Sequence, residues 1–408
     1  MLGPRLVVSP GHEALPPNVP PRNPEAMAEA ALEVEWNDKE TPMTSRERML
    51  TALDNGRPDR LPCQVHGWMK YYLDAHLGGM DWYQAYAKFG MDYAIYVSPE
   101  YLYRGDELAR WEKRRIALGA DPDGNHLWEE TIVTPRGSLH RAGSWNAFTG
   151  WETEHLIKSE RDFDLWDEFL PLPCAADMRI VREARERLGD KGVVRSHPFS
   201  PGQGSPWQSF CTLFGTERAI LLGMDEPDTL HRMLEAIVKK TLRVTELWAG
   251  TPADMVETGG GAGSNTVISP AFHREFCLPY DRRQHAALHE AGVKIVYHLC
   301  GGLMHLLDIV AENGADGLET MTPPSMGGDC DLREASRRVG GKLFFIGGFD
   351  QSAGFERGTP DAARKLVHDC FEATKDHAGY ILAPSDHFFF GDPRNLQAFA
   401  DAAKACAY

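Results

Sequence analysis

Eight short apolar runs, most of them followed by a longer stretch of helical periodicity, constrain this 408-residue chain more than any other feature. They are LPCQVHG (61–67), DYAIYVSP (92–99), GVVRSHPF (192–199), ADMVETGG (253–260), KIVYHLCG (294–301), DGLETMT (316–322), KLFFIGGFD (342–350) and GYILAPSD (379–386). Runs this apolar suit parallel strands covered by helices on both faces, where neither side of the strand meets water. The intervening patterns, such as EPDTLHRMLEAIVKKTLRVTELW and TPDAARKLVHDCFEATKDHAG, repeat apolar residues three and four apart. Repeated βα units predict an α/β fold with a parallel sheet, and eight of them predict closure into a (β/α)8 TIM barrel.

Two segments depart from this rhythm. Residues 1–42 are rich in Pro, Ala and Glu without sustained periodicity, which predicts a flexible N-terminal leader. Order is expected from Thr44, where a hydroxyl cap precedes Met49, Leu50 and Leu53 and the pattern stops at Asn55-Gly56. Residues 108–155 alternate with period two and carry turn signals at DPDG and PRG, which predicts antiparallel hairpins inserted after the second strand. The barrel is therefore expected over 43–408, with that insertion serving as a lid, an oligomer contact or a structural excursion.

Composition narrows the class of partner. Hydrophobic residues at 42% and charged residues at 25% describe a chain able to bury a large core. A formal charge of -16 repels a phosphate backbone, so nucleic acid is not an expected partner. The N-terminus has too short an apolar run and too many prolines for a signal peptide or membrane span, which predicts a cytoplasmic protein with no membrane association. The eight scattered cysteines lack CxxC spacing and read as thiols.

A barrel gathers its chemistry where the strands end, and these ends are rich in polar groups: His66, Ser98 with Glu100, His197, Glu257, His298 with Cys300, Glu319, Asp350, and Asp386 with His387. In YHLCGG (297–302), residues two apart on a strand point the same way, so His298 and Cys300 can converge on one metal ion. An imidazole with a thiolate suits Zn²⁺, a neighbouring strand end can give a third ligand, and one position then stays open for a small-molecule substrate. An isolated HxC also arises from packing alone; its place at a strand end favours the metal. Glu257 and Glu319 close strands on either side and can ligate the metal, orient His298 or act as bases. His387 is a further acid–base candidate, and His66, His197 and Glu319 are candidate substrate contacts. The run GGGAG (259–263) lacks nucleotide-binding spacing and reads as a flexible loop.

Several stretches together resemble the uroporphyrinogen decarboxylase superfamily, which includes the methylcobamide:coenzyme M methyltransferases and related corrinoid-dependent demethylases. They are MTSRERMLTALDNGRPDRLP (43–62), ISPAFHREFCLPYDRRQHAALHEAGVKIVYHLCGG (268–302), GGKLFFIGGFDQSAGFERGTPDAARKLV (340–367) and GYILAPSDHFFFGDPRNLQAF (379–399). The resemblance implies the barrel fold and, since family members are often dimers, a homodimer. The decarboxylases hold porphyrinogen with two N-terminal arginines and an aspartate ending the second strand. Here QVHGWMKYYLDAHLGG has no arginine and the aspartate position falls on Pro99, so that activity is not expected. The methyltransferase branch builds a zinc site from HxC at the fifth strand and a cysteine at the eighth. His298 and Cys300 match the first part, and Asp386 stands where the cysteine would be, with His387 or Glu257 as alternative third ligands. The resemblance thus implies a Zn²⁺-dependent methyltransferase that moves a methyl group between a small O- or S-methyl compound and a corrinoid. With no DxHxxG signature in this chain, the corrinoid would be carried by a separate protein. The alternative is a metal-assisted decarboxylase or lyase of a small carboxylate, using His298, Glu257 and His387 for proton transfer.

Overall fold

Thr44 opens the first helix through a reciprocal cap: its hydroxyl accepts from the Glu47 N–H, and the Glu47 carboxylate accepts from the Thr44 N–H at 2.8 Å. The helix Ser45–Leu53 then ends before Asn55, which adopts a left-handed φ of 58°. These details come from a computed structural model, which describes residues 42–408 except 203 and 378. The expected leader, 1–42, lies outside the described residues but for its last position.

Thirteen strands follow in chain order among the described residues. They are β1 Tyr93–Tyr96, β2 Glu100–Leu102, β3 Glu112–Ala120, β4 His126–Thr134, β5 Gly137–Trp145, β6 Gly150–Glu154, β7 Ala175–Asp177, β8 Gly192–Ser196, β9 Met255–Gly259, β10 Lys294–His298, β11 Gly317–Thr320, β12 Phe344–Phe349 and β13 Tyr380–Pro384. Strands β1, β8, β9, β10, β11, β12 and β13 pair in that order, every neighbour parallel. Seven of the eight apolar runs are these strands. The eighth, 61–67, forms no regular strand, yet it bonds to both edges of the sheet. Gln64 N–H donates to Leu382 O at 2.9 Å, Leu382 N–H to Pro62 O at 2.9 Å, and Asp92 N–H to Cys63 O at 2.9 Å. Its ladder is interrupted because Pro62 has no N–H to give and the Cys63 N–H is taken by the Asp92 carboxylate at 3.0 Å.

Alternation along the parallel strands makes two layers. Ala94, Val193, Met255, Val296, Phe344 and Ile381 form one apolar cluster with Met49, Ala52 and Leu53 of the first helix, which plugs this end of the sheet. Two residues further along their strands stand Tyr96, Arg195, Glu257 and His298, with Glu319 beside His298 in the register of β10 and β11. A period-two strand therefore turns from an apolar floor to a charged storey within one step of its own repeat.

Strands β3 to β6 form a separate four-stranded antiparallel sheet within residues 112–154, between β1 and β8 in sequence. Ile132 and Leu139 on its covered face share a hydrophobic cluster with Phe163 and Trp166 of the helix Glu160–Phe169 and with Phe210 of the helix Pro206–Phe214. Among the described residues, no helix is long and apolar enough to cross a membrane.

Candidate active site

Arg195 organises the charged storey. Its side chain is fully buried, and its guanidinium donates to both Glu319 oxygens, through Nη1 at 2.7 Å and through Nη2, while Nη2 also donates to Glu257. Tyr96 lies under it, ring centroid 4.7 Å from the guanidinium carbon. Burying a cation of this size is tolerable only with such partners. Sequence reasoning passed over Arg195. The available signal was a lone arginine inside the apolar run GVVRSHPF, where an inward-facing charge requires buried counter-charges.

Both glutamates turn toward the next strand. His298 donates Nδ1–H to Glu319 at 2.8 Å, and Glu257 lies 3.4 Å from the same nitrogen. Burial alone would push the His298 pKa down, but Cys300, Glu319 and Glu257 hold it well above the ordinary histidine value. Burial likewise opposes ionisation of Glu319, yet Arg195 and then His298 keep it well below the carboxylate range. One guanidinium, one imidazolium and two carboxylates thus balance to zero net charge.

His66 completes the cluster from the segment 61–67. Its ring stands 5.4 Å from that of His298 and 4.7 Å from that of His387, centroid to centroid, and its Nδ1 is 3.9 Å from Glu319. Burial lowers its pKa to about 4, so it stays neutral next to the His298 cation. Donor atoms of His66, His298 and Glu319 lie within 4.8 Å of one another. Glu319 is nevertheless a poor candidate ligand, because Arg195 and His298 already occupy both of its oxygens.

Above this cluster opens a cavity of about 510 Å³. His66, His197, Glu257, His298, Cys300, Asp386 and His387 all line it, whereas Glu319 lies fully buried behind the wall. Of the proposed substrate contacts, His66 and His197 therefore face the cavity and Glu319 orients His298 from behind. His197 sits 3.7 Å from Glu257. Asp350, also singled out in the sequence, instead accepts from Ser325 at 2.6 Å and caps its own turn through Ala353 N–H at 2.8 Å. Among aromatic side chains close to these strand ends, Trp68 and Tyr96 line the cavity, whereas Trp207 is buried and bonds Ala262 O at 2.9 Å, and Phe388 packs into the core against Trp68 and Tyr72.

Imidazole, thiolate and carboxylate groups of the kind zinc takes line this cavity, although among the described residues the set whose donor atoms lie within 4.8 Å of one another is His66, His298 and Glu319, without Cys300 or Asp386. Nδ1 of His298 is committed to carboxylates, which leaves Nε2 as its remaining nitrogen, an orientation that carboxylate–histidine–metal arrangements share. Cys300 is half-buried at the cavity wall, and the glycine loop beside it leaves the sulfur room: a Cβ at Gly261 would stand 2.7 Å from Cys300 Sγ. Asp386 also lines the cavity and is exposed, one oxygen accepting the His387 N–H at 2.7 Å. A second glycine makes similar room for an imidazole, since a Cβ at Gly67 would lie 3.2 Å from His387 Cε1.

A family model described as uroporphyrinogen decarboxylase (URO-D) matches residues 153–406. A uroporphyrinogen decarboxylase from Cupriavidus necator is 29% identical over 252 residues, covering 56% of this chain and 63% of that protein. A methylated-thiol–coenzyme M methyltransferase from Methanosarcina mazei is 23% identical over 208 residues, covering 51% of this chain and 53% of that protein. The aligned stretches thus span less than two thirds of these curated relatives. Among solved structures, a methyltransferase from Methanosarcina mazei superposes with a TM-score of 0.61 at 15% identity, covering 89% of this chain and 99% of that one. That likeness is one of fold.

Proposed function

The chain belongs to the uroporphyrinogen decarboxylase (URO-D) family, and from that premise we propose that it is a Zn²⁺-dependent methyltransferase, exchanging a methyl group between a small O- or S-methyl compound and a corrinoid on a separate protein. The observation that carries this reading is that Cys300 and a carboxylate-oriented His298 line one cavity, with Cys300 among the groups that act on the His298 ring. The full fold is read with it as a (β/α)8 barrel, seamed by 61–67 and interrupted by 108–155. The homodimer and the cytoplasmic location stay with this proposal.

His298 and Cys300 would hold the zinc, with Asp386 as third ligand and His387 or Glu257 as alternatives. Bound there, the ion would supply Lewis acidity toward a thiol or ether oxygen. The chain's own groups do the rest. Arg195 and Glu319 fix the His298 ring, and Trp68 and Tyr96 give the cavity apolar walls. Neutral His66 and His387 stand close enough together to hand a proton across the cavity. Glu257, kept ionised by Arg195 against its burial, is the nearest carboxylate base on the wall.

The test is methyl transfer to added cob(I)alamin by zinc-loaded protein, followed by the absorbance of the cobalt product over a panel of O- and S-methyl compounds. Transfer that disappears in Cys300→Ser supports the reading. Release of CO2 from a small carboxylate without cobalamin would overturn it in favour of a carboxy-lyase that uses the same histidines.

A further inference from the structure

A second cleft, of about 510 Å³, lies between the antiparallel sheet β3–β6 and the helix Pro206–Phe214. It shares one residue, Gln208, with the wall of the catalytic cavity. The Gln208 carbonyl oxygen accepts from Ala262 N–H at 2.9 Å, so this side chain also braces the glycine loop beside Cys300. Nothing in the proposed reaction uses the cleft.

Its lining is specific in three respects. Trp145 and Trp151 are 48% and 40% exposed, which is a large aromatic surface to leave in water. Arg115 stacks 3.9 Å above the Trp128 ring, and among the described residues no carboxylate pairs with it, whereas neighbouring Arg141 is matched by Glu130 and Glu152. Ser144 lines the cleft at 2% exposure with its hydroxyl oxygen buried and unpartnered. A buried hydroxyl left without a partner costs roughly 1–3 kcal/mol, a deficit a ligand's polar group would remove.

We propose that this cleft is a second binding site, separate from the catalytic cavity, for a flat aromatic carboxylate. The anion meets the Arg115 guanidinium, the ring lies against Trp145 and Trp151, and a polar ring substituent or the second carboxylate oxygen meets Ser144. A cationic ligand is disfavoured because Arg115 already covers Trp128. A phosphate, with its greater charge, is disfavoured because Glu152 also lines the cleft and the one other side chain there able to become cationic, His155, has its Nδ1 engaged by Thr212 O at 3.0 Å and by Glu152 at 3.3 Å.

Calorimetric titration of the full-length protein with benzoate tests the proposal without reference to turnover, so its outcome is independent of the methyltransferase reading. Benzoate is expected to bind once, with benzamide and the Arg115→Gln variant each at least about 10-fold weaker, as loss of a charge-assisted contact predicts. Ser144→Ala is expected to weaken binding several-fold, and His387→Ala, in the catalytic cavity, to leave it unchanged. Arg115 is exposed on β3, so its variant retains the fold, which a matching melting temperature verifies. No detectable benzoate binding overturns the proposal, as does binding that survives Arg115→Gln or is lost in His387→Ala.

Discussion

Arg195 and Glu319 form a two-bond ion pair in which neither side chain reaches solvent, and the same carboxylate accepts the Nδ1–H of His298. Both carboxylates of this storey therefore lean on the one arginine, with His298 as the second cation. Arg195→Met would leave Glu257 and Glu319 with only the His298 imidazolium between them, one negative charge in excess, and we predict a loss of roughly 3–5 kcal/mol in urea unfolding at neutral pH. Arg195→Met combined with Glu319→Leu should recover much of that loss, because it removes a stranded charge. Equal or greater destabilisation of the double variant would contradict the charge-balance account.

The raised pKa of His298 predicts a pH dependence of metal binding. A metal at Nε2 needs the neutral ring, so the Nε2 proton must leave first, and Glu319 and Glu257 resist that loss by stabilising the imidazolium from the Nδ1 side. Apparent zinc affinity should therefore climb with pH until pH exceeds the His298 pKa, then level off. Glu319→Gln removes one carboxylate that stabilises the imidazolium, so the rise should move to lower pH. The plateau affinity should fall by roughly 10–100-fold, because the ring loses its orienting carboxylate. Chelator competition across the neutral range measures both, and an unmoved profile would rule out Glu319 as the orienting group.

How much of this could be read from the chain follows from what each signal encodes. The run KIVYHLCG marks both a buried strand and the polar pair that ends it, because two-residue periodicity carries burial and direction together. The same periodicity passed over Arg195, since patterning scores an arginine in an apolar run as an interruption rather than as the centre of an ion cluster. The run 61–67 reads as a strand by composition, but its pairing is decided by Pro62 and by the remote carboxylate of Asp92. Glu319 reads as a rim contact, yet the short β11 places it level with His298 and behind the wall.

Gly261 makes a local prediction. An added methyl there would sit 2.7 Å from the Cys300 sulfur, so the thiol must rotate or the loop must move. Gly261→Ala should lower zinc affinity about 10-fold or more while changing global stability by no more than about 1 kcal/mol, as expected for a change confined to a loop. A metal affinity equal to wild type would mean that the sulfur's present position is not the binding one.

A separate titration belongs to Asp281, buried on the helix Leu278–Glu290 with one oxygen unpartnered and the other accepting from Tyr297 at 2.8 Å. Burial raises its pKa from 3.8 to about 7, and the Tyr297 bond offsets this only in part. A raised carboxyl pKa gives stability that is fully present below the unfolded value and lost as pH rises through the folded one. Asp281→Asn should therefore match wild type near pH 4 and exceed it increasingly up to about pH 8, by roughly 3–4 kcal/mol. Denaturant titrations at the two ends of that window measure the difference, and a constant offset would contradict the assignment.

X-ray absorption at the zinc edge of the loaded protein tests the metal reading most directly. The account predicts one sulfur scatterer at about 2.3 Å with nitrogen and oxygen at about 2.0–2.2 Å, the sulfur shell vanishing in Cys300→Ser. Zinc bound with no sulfur in its shell, or protein that takes up no zinc at all, would contradict it.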